Sequence, residues 1–190
     1  MFIWLDHSLI RHSQRAQPKS EERAKAYDSE KYHAKTFTVV NVVDGDTADV
    51  DVPDDKFEHT RIRLWGIDTP ETKGDIPGVM YFGPQAAEFT TKLTLGKPVT
   101  VYLDVANRTR DKYGRLLAYV QLPDGKFLNE VLVAEGFAYA DLRFRHSFYN
   151  KYRQLEANAR RSEKGLWRKV TRKQLPEWLQ RERPNLLLEK

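Results

Sequence analysis

Carboxylates and arginines gather in three short stretches of this 190-residue chain. The first is Asp44-Gly45-Asp46-Thr47. The second is Arg61 to Glu71, reading R-I-R-L-W-G-I-D-T-P-E, and the third is Arg115, behind the turn Asp111-Lys112-Tyr113-Gly114. Hard divalent cations take oxygen ligands, and Ca²⁺ accepts carboxylates, backbone carbonyls and waters at about 2.3 to 2.6 Å. Asp46, Asp68 and the Thr69 carbonyl make a sparse shell of this kind, incomplete for storage and open to water and substrate. Pro70 disfavours the α region at Thr69, so the chain there is extended and its carbonyl is free to face a ligand. A phosphodiester gains negative charge as water attacks it, which calls for fixed cations and a base. Arg63 and Arg115 offer planar donor forks that stay charged, and Glu71 is the carboxylate left to take a proton. Each stretch also has a plainer reading: a charged surface strand for Arg61 to Glu71, a hairpin turn for Asp44-Gly45, and a solvated edge cation for Arg115. A turn accounts for Asp44-Gly45 but not for a second carboxylate at Asp46, which is expected at a strand start against its β-propensity.

Strands must carry these groups. In Arg61-Ile62-Arg63-Leu64 apolar and charged residues alternate with period two, so one face enters a core and the arginines face the other way. The same logic predicts strands over 36–43, over 48–52 after the Asp44-Gly45 hairpin signal, and over 58–67 after the turn at Pro53-Asp54-Asp55. A loop over 72–83 follows, and then Phe82, Ala86, Phe89 and Leu93 at helical spacing, with Pro84 near the start and Gly96 beyond the end. Strands are expected over 99–105 and 115–122, and helices near 128–135 and 147–162, each stopped by a glycine. Residues 1–34 read as an N-terminal extension, helical from about 19 to 31. Residues 35–168 form the main domain, and 169–190 form a basic C-terminal tail with a short helix at 176–181. The arrangement is α+β: a five-stranded oligonucleotide-binding (OB-fold) β-barrel with three packed α-helices and an extension at each end.

Composition narrows the partners. Hydrophobic residues make up 40% and aromatics 12% of the chain, too many for a disordered protein, while no run is long and apolar enough to cross a membrane. The formal net charge of +5 favours a polyanion, nucleic acid ahead of a membrane surface. With no cysteine, disulfides, thiol nucleophiles and zinc-thiolate sites are excluded, and the compartment stays open. The apolar start Met1 to Leu5 is broken at once by Asp6 and His7, so no export signal is evident in the sequence as it stands.

Five motifs in order, D-G-D-T (Asp44 to Thr47), R-L-x-G-I-D-T-P-E (Arg63 to Glu71), Y-F-G-P-Q-A-A (Tyr81 to Ala87), D-K-Y-G-R (Asp111 to Arg115) and L-N-E-x-L-V-x-x-G (Leu128 to Gly136), resemble the staphylococcal-nuclease-like thermonucleases. The resemblance covers about residues 36–168. It implies an oligonucleotide-binding barrel, Ca²⁺-dependent hydrolysis of DNA and RNA, products ending in 3′-phosphate, and a monomer. By position it makes Asp46, Asp68 and Thr69 the metal ligands, Glu71 the general base, and Arg63 and Arg115 the phosphate arginines. It also makes Asp44 an outer carboxylate and gives Lys112 and Tyr113 contacts to the terminal phosphate and nucleotide. Leu142 and Phe144 stand where the family prototype has two tyrosines lining the nucleotide pocket, which keeps stacking at Phe144 but loses both hydroxyls. The loop over 72–80 carries one lysine and one aspartate, fewer cations than the prototype. The basic run Arg160, Arg161, Lys164, Arg168, Lys169, Arg172 and Lys173 either extends a phosphate footprint or is a solvated helix face and tail.

A non-catalytic binding module on the same barrel is the rival from another class, and a purely structural Ca²⁺ site is the third reading. The intact set Asp46, Asp68, Glu71, Arg63 and Arg115 separates them, since a scaffold needs none of the five together and a structural site leaves both arginines without a purpose.

Overall fold

The computed structural model describes residues 8–72, 78–104 and 106–188, with side chains from residue 20 onward. Seven strands follow the alternating and β-branched runs: β1 (Lys35–Asp44), β2 (Thr47–Val50), β3 (Thr60–Leu64), β4 (Ile67–Asp68), β5 (Pro98–Tyr102), β6 (Leu116–Gln121) and β7 (Tyr139–Ala140). Five of them close a barrel in the order β1-β2-β3-β6-β5, with β5 returning to β1. All neighbours run antiparallel except β3 and β6. β1 serves two partners because it bends: Lys35 to Thr38 pair with β5, Val39 to Asp44 pair with β2, and the register shifts between Val39 and Asn41 and again between Val42 and Asp44. Such bulges raise local twist and turn one strand around a barrel corner.

Period-two alternation holds in β3, where Thr60, Ile62 and Leu64 are buried, Arg61 is exposed and Arg63 lies half-buried. Ile62 and Leu64 enter the core with Val39, Val50, Val99, Val101, Leu116 and Val120. Full burial of one such side chain stabilises by roughly 1.5 to 3 kcal/mol. β6 is buried along nearly its whole length, because helices cover the face turned away from the barrel.

Those helices are α1 (Ser8–Tyr32), α2 (Gly83–Thr94), α3 (Leu128–Ala134), α4 (Tyr149–Arg161) and α5 (Glu177–Glu182). α2 buries Ala86, Thr90 and Thr94, a stripe rotated slightly from the predicted one. Phe89 instead stacks on Phe137 with ring centroids 4.0 Å apart. α3 is locked to the barrel by Asn129, which is fully buried. Its Oδ1 accepts from the Val120 amide at 3.0 Å and its Nδ2 donates to the Trp65 carbonyl at 3.0 Å. Among the described residues no helix is long and apolar enough to cross a membrane.

Both extensions are fastened to the barrel. α1 begins earlier than its sequence suggests, and its last turns carry Asp28 and Tyr32, which are 1% and 0% exposed. Arg110 donates to Asp28 at 2.7 Å and to Asp54 at 2.6 Å, and Thr109 Oγ1 donates to Asp28 at 2.7 Å. The C-terminal residues fold back as well: Leu175, Leu179 and Leu186 are buried with Tyr139, Leu166 and Trp167 in a second apolar cluster.

The hairpin expected at Asp44-Gly45 forms between β1 and β2. Asp44 pairs with Thr47, so Gly45 and Asp46 are the two turn residues and Asp46 bears no strand cost. A Cβ on Gly45 would lie 2.8 Å from Thr69 Oγ1 and 2.9 Å from the Ala86 Cβ. Glycine is required there by close approach of the site loop and α2.

Candidate active site

The turn between β1 and β2 and the end of β3 and β4 meet at Asp46. Its Oδ2 accepts from the Thr69 amide at 2.7 Å and from Thr69 Oγ1 at 3.0 Å, and Thr47 Oγ1 donates to Oδ1 at 3.1 Å. The Asp46 amide in turn donates to Asp44 Oδ1 at 3.1 Å. Arg63, opposite Thr47 in the β2–β3 ladder, forms an ion pair with Asp46 through Nη1. Its Nη2 donates to Asp68 Oδ1 at 2.6 Å. One guanidinium therefore spans two carboxylates, holding them close together. Trp178 Nε1 takes the remaining Asp68 oxygen, Oδ2, at 2.7 Å.

Electrostatics follow from this crowding. Burial and the neighbouring charge of Asp46 push Asp44 up to about 7. Burial and Asp46 likewise raise Asp68 to about 6, although Arg63 pulls it down. Burial works against the charge of Arg63, but Asp46, Asp68 and Asp44 outweigh it and hold the guanidinium protonated. Glu71 lies at the open edge of the site. Partial desolvation and Asp46 push its pKa up, against Arg63 and Arg115.

Two backbone contacts fix where Glu71 begins. Its carbonyl accepts from the Met80 amide at 2.9 Å, and a Cβ on Gly83 would come within 2.3 Å of that carbonyl. The glycine of the Y-F-G-P motif thus lets the start of α2 press against the Glu71 backbone. Phe82 before it is left-handed, at φ 71°, a conformation that costs a bulky residue energy and is held by its surroundings.

Arg115 is set by its turn. Asp111 Oδ2 accepts from Arg115 Nε at 2.7 Å, and Asp111 Oδ1 accepts from the amides of Tyr113 and Arg115 at 2.9 and 3.0 Å. Arg115 Nη1 reaches Thr47 Oγ1 at 3.5 Å, beside Asp46. Lys112 and Tyr113 are exposed on that turn, with the Lys112 ammonium 4.9 Å and the Arg115 guanidinium 5.4 Å from the Tyr113 ring centroid. Phe144 is placed differently. It stacks on Trp65 at 5.9 Å, flanked by Arg108 and Arg143 at 6.0 and 5.7 Å. Leu142 packs against the main core. Arg61 faces away from the site and is bound to Asp49 by two hydrogen bonds of 2.7 and 3.0 Å.

The donor set suits a hard divalent cation. Asp46 and Asp68 share the Arg63 guanidinium, and burial, with repulsion from Asp46 added, keeps Asp44 and Asp68 above the usual carboxylate range. A divalent ion relieves such repulsion, and all the oxygens are hard. Among the described residues no three histidine, aspartate or glutamate side chains converge as a preformed cage.

The sequence profile of the family described as "Staphylococcal nuclease homologue" matches residues 61–169, more than half of the chain. The chain belongs to the staphylococcal nuclease family. Over 134 residues it is 35% identical to a protein named thermonuclease from Staphylococcus hyicus, covering 70% of this chain and 76% of the relative. A thermonuclease of Staphylococcus intermedius is 36% identical over 140 residues, 70% of this chain and 76% of that one. A protein named uncharacterized endonuclease from Escherichia coli O157:H7 is 35% identical over 152 residues, 76% and 84% respectively. The family match begins after Asp46 and ends before Trp178, so two groups bound to Arg63 or Asp68 lie outside it.

Sequence reading named most of the residues gathered here; it quoted Asp111, Gly83 and Asn129 within motifs without giving them a role, and it passed over Trp178. Asp111 was legible as a turn aspartate two and four residues from the amides it accepts. The others act across the fold, and only the Leu175, Trp178, Leu179 spacing hinted that the C-terminal stretch buries a face.

Proposed function

We propose that this chain is a nuclease that hydrolyses phosphodiester bonds of DNA and RNA with Ca²⁺ and leaves 3′-phosphate ends. The observation that carries the reading is the junction of Asp46, Arg63 and Asp68, with Glu71 and Arg115 at its rim. The names of the similar proteins support it. Asp46, Asp68 and the Thr69 carbonyl would hold the metal, with Asp44 fixing Asp46 from behind. A divalent cation held by these residues would supply Lewis-acid polarisation of the phosphoryl oxygens and offset the charge that grows on them.

The chain's own groups supply the rest. Glu71, its pKa raised, takes a proton from the attacking water. Arg63 and Arg115 bind the phosphate oxygens, and since guanidinium stays protonated both act by charge alone. The P–O5′ bond breaks, and the departing oxygen is protonated from solvent. Asp111 keeps Arg115 in its fork geometry. In this reading Lys112 and Tyr113, exposed on the turn that carries Arg115, contact the terminal phosphate and nucleotide, and Phe144, stacked on Trp65, is the nucleotide-stacking ring.

Cleavage of single-stranded and duplex DNA, and of RNA, with Ca²⁺ and with chelator tests the reading. Activity is expected to vanish in chelator. Glu71→Gln is expected to lower kcat by about 100- to 10,000-fold, the usual contribution of a positioned base. Equal cutting in chelator, or a Glu71→Gln variant as fast as the parent, overturns the mechanism. End-group analysis checks the 3′-phosphate separately.

A further inference from the structure

Trp178 reaches Asp68 across 110 residues of sequence. Its indole Nε1 donates to Asp68 Oδ2 at 2.7 Å, while Arg63 Nη2 donates to Oδ1 at 2.6 Å. Both oxygens of this carboxylate are therefore tied, one to a cation of the barrel and one to a neutral donor of the C-terminal segment.

The indole is itself held. The Arg143 guanidinium lies 4.1 Å from its ring centroid, and Arg143 is fixed by two hydrogen bonds of 2.8 Å to Asp141. On the next turn Arg183 Nη1 donates at 2.5 Å to Oε2 of Glu156, which is fully buried. The other oxygen of Glu156 accepts from the Ala140 amide at 3.1 Å. Ala140 belongs to β7, the strand that pairs with β4 and so with Asp68. Arg160 Nη1 also donates to the Leu186 carbonyl at 2.6 Å. The segment is clamped to the two-stranded sheet that carries Asp68.

We propose that Trp178 is a positioning residue for Asp68, through which the C-terminal segment sets the rotation of a metal carboxylate; this rests on the nuclease reading above. An indole N–H is a donor only and carries no charge. It orients the carboxylate without neutralising it, so the oxygen retains its pull on a cation. Without that N–H the carboxylate turns freely and gives both oxygens to Arg63, which then competes with the metal. Loss of such an outer partner typically lowers metal affinity or activity about 10- to 100-fold.

The test compares the full chain with Trp178→Phe, which keeps a ring under Arg143 and drops the N–H. Calorimetric titration with Ca²⁺ alone is expected to give a Kd about 10-fold weaker in the variant. Its kcat is expected to fall about 10-fold, with KM for single-stranded DNA within about threefold of the parent. In ¹H–¹⁵N spectra of the metal-free parent, the indole resonance that Trp178→Phe removes should be protected from exchange and should shift in Asp68→Asn. A Trp178→Phe variant that binds Ca²⁺ as tightly as the parent overturns the positioning role and leaves the nuclease reading intact. An indole resonance that exchanges like a free one also overturns it, whatever the activity. A parent that neither binds Ca²⁺ nor cuts nucleic acid overturns the nuclease reading, and the role of Trp178 falls with it. If Trp178→Phe does not fold, the exchange and shift measurements on the parent and on Asp68→Asn decide alone.

Discussion

Arg63 holds two carboxylates that would otherwise repel each other, and in the proposed reaction the same group must also face a phosphate. A guanidinium manages both because it presents several donors in one plane. Lysine at this position keeps the charge but cannot span Asp46 and Asp68. Arg63→Lys is therefore expected to lose about 100- to 1,000-fold in kcat, the usual effect of removing one such donor, as single-turnover cleavage at saturating Ca²⁺ would measure. A loss under tenfold would show that charge alone suffices there.

The tight connection between β3 and β4 depends on Gly66, which has φ +78° and where an added Cβ would lie 2.5 Å from the His146 ring. Tyr119 and His146 Nδ1 are 3.2 Å apart, and Asp104 accepts from Tyr119 at 2.9 Å. Burial lowers the pKa of His146, against Asp104 and Asp141 that raise it. A histidine whose folded pKa is depressed contributes stability that is present above its unfolded pKa, about 6.5, and lost as pH falls toward the folded value. The slope reaches about 1.4 kcal/mol per pH unit for one proton. Asp44 and Asp68, whose pKa values are raised, change stability in the opposite direction over the same window. The readout is therefore a difference: between pH 7 and pH 5 chemical denaturation is expected to show the parent losing stability relative to His146→Gln. Elements of this kind explain which parts of the fold were legible. Alternation in Arg61 to Leu64 and the helical spacing of Ala86 and Phe89 are local signals, and they located the barrel strands and α2. β7 has two residues and exists only because Tyr139 and Ala140 meet β4, so no periodicity could announce it. Asp46 was found as a ligand candidate through a strand argument that the turn geometry replaces. Trp178 was lost because a basic composition masked three buried leucines.

Across the whole molecule, both flanks of the barrel end on the site. α1 reaches it through Arg110, whose Nη1 also donates to the Gly114 carbonyl at 2.9 Å in the turn that carries Arg115. The C-terminal segment reaches it through Trp178. Asp28 is nearly fully buried, so Asp28→Asn leaves Arg110 short of half its counter-charge; breaking a buried pair from one side costs about 3 to 5 kcal/mol. Urea denaturation should show a loss toward the low end of that range, since Arg110 keeps Asp54. An unchanged midpoint would mean that α1 is only loosely attached. The clasp at Arg110 also bears on modularity. The stretch recognised as the family and the unit that can be moved into another protein differ in size, and a graft of this barrel is expected to keep the turn that carries Arg115 in place only if α1 comes along.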